Sequence, residues 1–237
     1  MDMLRRLNTR QLEIYGIIGD AVDDNKGGMF FVYGYGGTGK TFLWNTIIAG
    51  IRSAGKIVLE VASSGIVSLL LPGGRTVHSR FKIPLTIQEC STCIISMGTQ
   101  HAKLINNADL IVWDEAPMIH RHCVEAMDKT LKEIVTNSNK DGTNYLSEEK
   151  QYSLEETSDK FCPSFLPEVN PKLNATLCNS PIWNNCKLLR LTENMRLKQH
   201  DLNNSSRKEL EKFSDWLLRV CEGKLGCDDI FDTTKVK

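Results

Sequence analysis

The sequence predicts an α/β fold, in which a parallel sheet carries helices on both faces. Three observations predict it. Short apolar runs of strand length have the character of buried strands. Segments with apolar residues at helical spacing lie between these runs. Strands and helices therefore alternate along the chain, which is the order that builds a parallel sheet with crossover helices.

The composition of the 237 residues, with 41% hydrophobic and 24% charged, is ordinary for a globular protein. The length predicts one domain, or one and part of a second. No apolar stretch approaches the roughly 18 residues of a membrane span, so we expect no membrane association. Lys+Arg and Asp+Glu are 29 each, which excludes an overall basic surface. Residues 1–113 hold 11 basic and 8 acidic groups, and this mild excess permits an anion site there.

The predicted elements cover most of the first 135 residues. A helix is expected over 7–22 and a buried strand over Met29–Tyr33, before a glycine-rich loop. The further elements are a helix over Thr41–Ile51, a strand over Lys56–Ala62, a short helix over 63–71, a strand over Asp109–Trp113 and a helix over Val124–Val135.

The second part of the chain is less regular. Residues 136–181 are rich in Asn, Ser, Glu and Lys, so we expect an irregular polar insert there. Cys186–Leu191 is expected to be a strand and 210–220 an amphipathic helix. The sequence thus predicts a domain over 1–135, the insert over 136–181, and over 182–237 a strand with the start of a second domain.

The eight cysteines are scattered, and Cys90 and Cys93 form the one C-x-x-C pair. His120, His122 and Cys123 are other possible ligands. A structural zinc normally needs two close pairs, so we expect no zinc and reduced thiols. The N-terminus lacks the apolar core of a secretory signal and the features of a transit peptide, which favours an intracellular protein.

The glycine-rich loop over 34–41 (GYGGTGKT) fits the pattern G-x-x-x-x-G-K-[ST] between a strand and a helix. Such glycines let backbone N–H groups cradle phosphates, and the following helix directs its positive end at the same anion. Lys40 would reach the β- and γ-phosphates, and Thr41 would hold Mg²⁺. We expect Lys40 to lie on an exposed loop without a packing role. The candidate nucleotide-binding residues here are Gly34, Gly36, Gly37, Thr38, Gly39, Lys40 and Thr41.

Two carboxylates, Asp114 and Glu115, follow a predicted buried strand. A carboxylate at such a strand end can hold Mg²⁺ through water, which is the role expected of Asp114. Glu115 is placed to polarise the attacking water. Together with the glycine-rich loop, the pair predicts an apparatus for hydrolysing a nucleoside triphosphate, in which Lys40, Asp114 and Glu115 are catalytic.

Five short segments, taken with the glycine-rich loop, carry a resemblance to a known family. They are 7–11 (LNTRQ), 63–66 (SSGI), 74–81 (GRTVHSRF), 114–118 (DEAPM) and 191–196 (LTENMR). With them the sequence resembles the petite integration frequency (PIF) family of superfamily 1 DNA helicases, in particular the plant forms encoded by Helitron-type transposons. The resemblance runs over about 7–135 and 179–226.

The resemblance implies a RecA-like ATPase domain that uses ATP and Mg²⁺ and acts on single-stranded DNA. It implies that Gln11 reads the adenine and that Arg196 faces the γ-phosphate, where such an arginine can be worth roughly 10³–10⁵ in rate. It also implies a single-strand path lined by Ser64, Arg75, Thr76, His78, Arg80 and Phe81, with Phe81 able to stack on a base. Without the resemblance, Gln11 reads as a surface glutamine and the basic residues as a solvated rim.

Two departures from the family limit what the resemblance implies. The family's motif III, G-G-D-F-R-Q, is missing, and the polar segment 136–181 lies in its place. The chain holds only the entry to the family's second RecA-like domain, so we expect a truncated helicase. The resemblance implies 5′-to-3′ unwinding and roles in repair, recombination and telomere maintenance, in the nucleus rather than the mitochondrion. A nucleotide-binding remnant and a small kinase are the alternatives, and the oligomeric state stays open.

Overall fold

A computed structural model of the chain describes residues 2–140, 151–155, 176–195, 208, 209, 212–214 and 216. The helices are α1 (Asp2–Arg5), α2 (Thr9–Asp23), α3 (Lys40–Ser53), α4 (Gly65–Ser68), α5 (Val77–Phe81), α6 (Gln100–Asn106) and α7 (Arg121–Lys140). The strands are β1 (Gly28–Gly34), β2 (Val58–Ala62), β3 (Arg75–Thr76), β4 (Leu110–Asp114), β5 (Gln151–Glu155) and β6 (Cys186–Leu191). Short 3₁₀ turns lie at Ala116–Met118, Leu177–Asn179 and Pro181–Asn185.

The strands form one parallel sheet in the order β3-β2-β4-β5-β1-β6. The predicted α/β class is therefore confirmed. In the register of the sheet, Val32 of β1 pairs with Glu155 of β5, and Leu154 of β5 pairs with Trp113 of β4. The carboxyl ends of β1 and β4 thus meet at one edge, on either side of β5. The glycine-rich loop leaves β1 at this edge, and Asp114 ends β4 at the same edge.

Apolar layers cover both faces of the sheet. On one face α2 and α3 pack on the strands, with Ile14, Ile18, Leu43, Trp44 and Ile47 fully or almost fully buried. On the other face α5, α6 and α7 contribute the apolar layer, which includes Phe81, Ile105, Met127 and Leu131. Each buried aliphatic side chain of this kind stabilises the fold by about 1.5–3 kcal/mol.

Helix α2 begins at a capping box. The Asn8 side chain accepts a hydrogen bond from the Gln11 backbone N–H at 2.7 Å, and the Gln11 side chain accepts one from the Asn8 N–H at 3.1 Å. This reciprocal pair satisfies two N–H groups that a helix start otherwise leaves without partners. It also fixes the position of Gln11, which bears on the site described below.

One expectation about the second part of the chain is wrong. Residues 136–140 continue α7, and 151–155 form β5 in the middle of the sheet rather than part of an irregular insert. Strand β6, which the sequence predicts at Cys186–Leu191, pairs with β1 in this sheet, and the start of a second domain after it stays a prediction. In β5 only Tyr152 and Leu154 are apolar, so the segment lacks the apolar run from which a strand is predicted. Backbone pairing with β1 and β4 defines its place in the sheet. Residues 208, 209, 212–214 and 216 are helical, and the rest of the helix predicted over 210–220 lies outside the described residues.

Among the cysteines within the described residues, Cys90, Cys93, Cys123 and Cys186 are free thiols. Burial raises the pKa of Cys93 to about 11 and that of Cys186 to about 12, so both thiols stay protonated at neutral pH. In the described ranges no three His, Cys, Asp or Glu side chains group to hold a metal ion. No helix within these ranges is long and apolar enough to cross a membrane.

An ion pair joins the end of α3 to β2, between a partly exposed Arg52 and a buried Glu60. Arg52 Nη2 lies 2.7 Å from Glu60 Oε1, and the Glu60 side chain is fully buried in β2. Burial raises the pKa of Glu60, and the charge of Arg52 opposes that rise. The folded state therefore holds the Glu60 proton more tightly than the unfolded chain, and stability falls as the pH rises above the ordinary glutamate range.

Replacing Arg52 by alanine is expected to lower the free energy of unfolding by about 2–4 kcal/mol at neutral pH, because it leaves a buried carboxylate without its cation. The loss should shrink at acidic pH, because the raised pKa of Glu60 lets this buried carboxylate take up a proton there. Urea denaturation at the two pH values measures it, with Lys132→Ala as the control, since Lys132 belongs to an exposed ion pair with Asp128. An equal loss at both pH values would contradict this account of Glu60.

Candidate active site

The loop after β1 has the conformation of a phosphate cradle. Gly37 and Gly39 have φ angles of 84° and 80°, in the left-handed region that a residue with a side chain adopts only at a cost. Thr38 closes the turn, because its N–H and its hydroxyl both donate to the Tyr35 carbonyl, at 3.2 and 2.8 Å. Helix α3 begins directly after Gly39, so its N-terminal N–H groups face the loop.

Lys40 is not the exposed side chain that the sequence predicts. It is 7% exposed, and its ammonium donates a hydrogen bond to the Gly34 carbonyl at 2.6 Å. The cation therefore also holds the loop together. Thr41, the next residue, is exposed on the first turn of α3. Its hydroxyl is thus accessible to a ligand, as the predicted role requires.

The loop is braced from two sides by residues distant in sequence. The Gln11 side-chain amide, 1% exposed, donates to the Thr38 carbonyl at 3.0 Å. On the other side the Met195 N–H donates to the Gly37 carbonyl at 2.8 Å. A Cβ on Gly39 would lie 2.5 Å from Gln11 Nε2, so this glycine is required for the close approach. Both polar ends of Gln11 are thus engaged within the protein, and its role as adenine reader stays a prediction.

Asp114 is buried at the end of β4, 6% exposed, and its Oδ1 has no hydrogen-bond partner in the described part of the chain. Burial raises its pKa to about 6, while the Glu115 backbone N–H and the charge of Lys40 oppose that rise. Asp114 ends β4 at the edge where the loop leaves β1, and the Lys40 ammonium is held on the Gly34 carbonyl at this same edge, so its charge acts on the carboxylate. A buried oxygen without a donor suits a hard cation, since Mg²⁺ is bound by carboxylates and by phosphate oxygens. The residues present therefore fit Mg²⁺.

Glu115 begins the turn that follows β4. Its φ of 57° is left-handed, which is uncommon for a residue other than glycine and is found at functional sites. A 3₁₀ turn over Ala116–Met118 follows directly. The Glu115 side chain is half-buried beside Asp114. This position is compatible with the predicted contact to an attacking water.

The predicted DNA-contacting residues gather at the β3 end of the sheet. Arg75 and Thr76 form β3, which pairs with the end of β2, and Ser64 follows β2 as the N-cap of α4. Thr76 is in turn the N-cap of α5. His78 and Arg80 lie on α5, where burial and the charge of Arg75 lower the pKa of Arg80. The fold therefore brings these five residues to one edge, next to the carboxyl end of β2.

Phe81 does not belong to this surface. It is 1% exposed and packs in the core with Val77, the residue one helical turn before it on α5. The prediction that Phe81 stacks on a base is therefore wrong. Val77 and Phe81 form the apolar side of a short amphipathic helix whose other side carries His78 and Arg80. The sequence contains this i, i+4 apolar pair, which is typical of a helix face that packs on a core.

Three further residues that the sequence interpretation did not place in the site belong to it. Ser63 contacts the Asp114–Glu115 turn, Met195 holds the loop, and Asn8 caps Gln11. Asn8 and Gln11 carry the recognisable pattern of a capping box. Ser63 and Met195 lie in two of the segments quoted above, 63–66 and 191–196, but nothing in those segments predicts the contacts that they make. Arg196, predicted to face the γ-phosphate, lies outside the described residues.

A phosphate cradle after β1 and a buried magnesium-type carboxylate after β4 of a parallel sheet define a phosphate-loop nucleoside triphosphatase domain of the RecA-like class. Residues 6–229 match the PIF1-like helicase family, and the chain belongs to that family.

Individual relatives are similar over different extents. ATP-dependent DNA helicase PIF4 of Trypanosoma brucei brucei is 30% identical over 106 residues, covering 43% of this chain and 13% of that protein. Bacteroides Pif1 bound to ssDNA superimposes with a TM-score of 0.65 at 18% identity, covering 94% of this chain and 48% of that one. Pif1 of Candida albicans gives 0.64 at 18% identity, covering 94% and 46%. The chain thus spans about half the length of these structures, and the likeness to them shows the fold.

Proposed function

We propose that the chain binds ATP with Mg²⁺ and hydrolyses it in response to single-stranded DNA, as the ATPase domain of a 5′-to-3′ DNA helicase. One observation carries this proposal. Lys40 and Asp114 meet at one edge of the sheet, where Asp114 Oδ1 is buried without a donor among the described residues. A cation beside an unsatisfied carboxylate is the arrangement that a phosphate–magnesium complex requires.

Each residue then has a definite task. The N–H groups of the loop and of the first turn of α3 bind the phosphate oxygens. Lys40 would leave the Gly34 carbonyl and bind the β- and γ-phosphates. Thr41 and Asp114 would hold Mg²⁺, which would neutralise phosphate charge. Glu115 orients the attacking water and accepts its proton. Arg196 is proposed to face the γ-phosphate, and Gln11 to meet the adenine.

The proposed DNA surface is the β3 edge with Ser64, Arg75, Thr76, His78 and Arg80. It presents hydroxyls, an imidazole and two guanidinium groups, which are suited to phosphates of the nucleic-acid backbone. Bacteroides Pif1, whose fold this chain shares, is described as bound to ssDNA. The motifs quoted above also support a Helitron-type origin. The proposed compartment is the nucleus rather than the mitochondrion, and imaging of the tagged chain tests it.

The test is Mg²⁺-dependent phosphate release by the purified chain, with and without single-stranded DNA. We expect DNA to stimulate release, and we expect its affinity to fall with salt because bound phosphates release counterions, with a slope of about −0.7 per phosphate contacted. Arg75→Ala should weaken DNA binding and reduce that slope, whereas Lys26→Ala, in an exposed ion pair away from this edge, should not. Salt-independent DNA binding would contradict the proposed surface.

A nucleotide-binding remnant without turnover is the second candidate. Strand β5 ends between β1 and β4, beside the loop and Asp114. This strand belongs to the segment 136–181, which stands in the sequence where the family carries motif III. Binding of Mg·ATP without phosphate release, with or without DNA, is the result that selects this candidate.

A further inference from the structure

A single hydroxyl joins the turns that follow β2 and β4. Ser63 Oγ donates a hydrogen bond to the Glu115 carbonyl at 2.6 Å. The same oxygen accepts a hydrogen bond from the indole N–H of Trp113 at 2.9 Å. In addition, the Ser63 backbone N–H donates to the Asp114 carbonyl at 3.1 Å. The three consecutive residues Trp113, Asp114 and Glu115 are therefore all bound to Ser63.

The hydrogen bond from Ser63 to Glu115 acts on a backbone conformation that a glutamate does not favour by itself. Glu115 has a φ of 57°, which a residue with a Cβ adopts only where its surroundings enforce it. The Ser63 hydroxyl donates a hydrogen bond to the carbonyl of this residue and helps to hold it in that conformation. Trp113, fully buried, donates its indole N–H to the oxygen of the same hydroxyl and leaves the Ser63 proton to be donated to Glu115. The junction thus sets where the Glu115 carboxylate stands relative to the loop.

Ser63 also lies directly before the start of the surface helix α4 in the chain. The next residue, Ser64, is the N-cap of α4, and its side chain accepts a hydrogen bond from the Val67 N–H. Helix α4 lies on the surface, with Ile66 exposed. Ser63 therefore connects the start of α4 with the Glu115 carbonyl.

We propose that Ser63 is a positioning residue for Glu115, through which the surface at α4 controls nucleotide hydrolysis. The proposal rests on the hydrolysis proposed above and adds its regulation: a strand bound along α4 shifts Ser63 and thereby places Glu115. Ser63 itself contacts neither phosphate nor metal in this scheme. Its loss should therefore lower the rate at saturating ATP and leave the affinities unchanged.

The experiment compares the full chain with Ser63→Ala, Ser63→Thr and Trp113→Phe. With saturating Mg·ATP and single-stranded DNA, Ser63→Ala should lower phosphate release by about ten- to a hundredfold. Titrations should show Mg·ATP and DNA affinities within about twofold of wild type. Ser63→Thr keeps the hydroxyl and should restore most of the rate. Trp113→Phe removes the indole donor but leaves the bond from Ser63 to Glu115, so it should retain a rate within about threefold of wild type.

Stability does not confound this comparison. Ser63→Ala leaves the buried indole N–H without its acceptor, which destabilises the protein. The double variant Ser63→Ala/Trp113→Phe removes that unsatisfied donor and should be as slow as Ser63→Ala alone. A wild-type rate in Ser63→Ala or in the double variant would overturn the proposal. Equal losses in Trp113→Phe and Ser63→Ala would also overturn it, since packing would then explain both.

Failure of the proposed function gives a different result. A wild-type chain that does not bind Mg·ATP contradicts both proposals. If the wild-type chain binds Mg·ATP without releasing phosphate, titration with Mg·ADP and aluminium fluoride tests the role of Ser63 instead. Ser63→Ala should then bind this transition-state analogue about tenfold more weakly relative to Mg·ADP. An unchanged ratio overturns the role of Ser63.

Discussion

Replacing Asp114 by asparagine is expected to stabilise the nucleotide-free protein and to abolish its response to Mg²⁺. Burial raises the pKa of Asp114 from 3.8 to about 6, so keeping this carboxylate ionised at neutral pH lowers the free energy of unfolding. A rise of that size corresponds to roughly 2–3 kcal/mol. Asparagine carries no charge and escapes this cost, but it cannot bind Mg²⁺ as a carboxylate does.

The pH dependence of stability distinguishes this explanation from a packing effect. Because the folded-state pKa lies above the unfolded value, the folded protein binds the additional proton between about pH 4 and 6. Wild-type stability should therefore fall as the pH rises through this range, and that part of the fall should vanish in Asp114→Asn. Urea denaturation without nucleotide measures it, and Asp20→Asn, a change on the exposed face of α2, is the matched control. A variant that is less stable than wild type at pH 8 would contradict the account.

Addition of Mg·ATP should reverse the order of stability. A ligand that binds only the folded state stabilises it in proportion to the logarithm of its concentration over Kd. The wild-type chain should gain stability with ATP and Mg²⁺ together, whereas Asp114→Asn should gain the same small amount with or without the metal. Equal gains in the two proteins would remove Asp114 from the metal site.

Replacing Glu115 by glutamine should lower the rate of ATP hydrolysis by roughly 10²–10⁴, the usual worth of a general base. Glutamine has nearly the same shape but cannot accept the proton of the attacking water. Binding should be unaffected, because the phosphates and Mg²⁺ are held by the loop, Thr41 and Asp114. Phosphate release at saturating Mg·ATP and a separate binding titration give the two quantities.

The control for this change is Glu89→Gln, which removes one carboxylate from an exposed loop far along the chain from the site. It should hydrolyse ATP at the wild-type rate. Hydrolysis by Glu115→Gln that matches this control would remove Glu115 from its catalytic role. A parallel loss of ATP affinity would instead show that Glu115 helps to hold the nucleotide.

Local patterns in the sequence predict much of the fold and of the site. Strands β1, β2, β4 and β6 are apolar runs, and their predicted positions agree with the structure to within two residues at each end. The glycine-rich loop predicts its own geometry, because the left-handed angles at Gly37 and Gly39 are those that glycine adopts without cost. Asp114 and Glu115 are likewise predicted by their place after a buried strand.

What the sequence does not predict depends on contacts between distant segments. Strand β5 has too few apolar residues to be recognised, and its neighbours in the sheet define it. The burial of Lys40 follows from its bond to Gly34, and that of Phe81 from the packing of α5 on the core. The link from Ser63 to Glu115 spans 52 residues, and no spacing rule reveals such a bond.

The measurement that tests the central claim most directly is calorimetric titration of ATP into the purified chain, with Mg²⁺ or with a chelator, for wild type and Lys40→Ala. The account predicts saturable binding that Mg²⁺ strengthens. It predicts that Lys40→Ala weakens binding by about ten- to a hundredfold, the worth of a charged hydrogen bond. Equal affinity in the two proteins, or binding indifferent to Mg²⁺, would contradict the assignment of Lys40 and Asp114 to a nucleotide site.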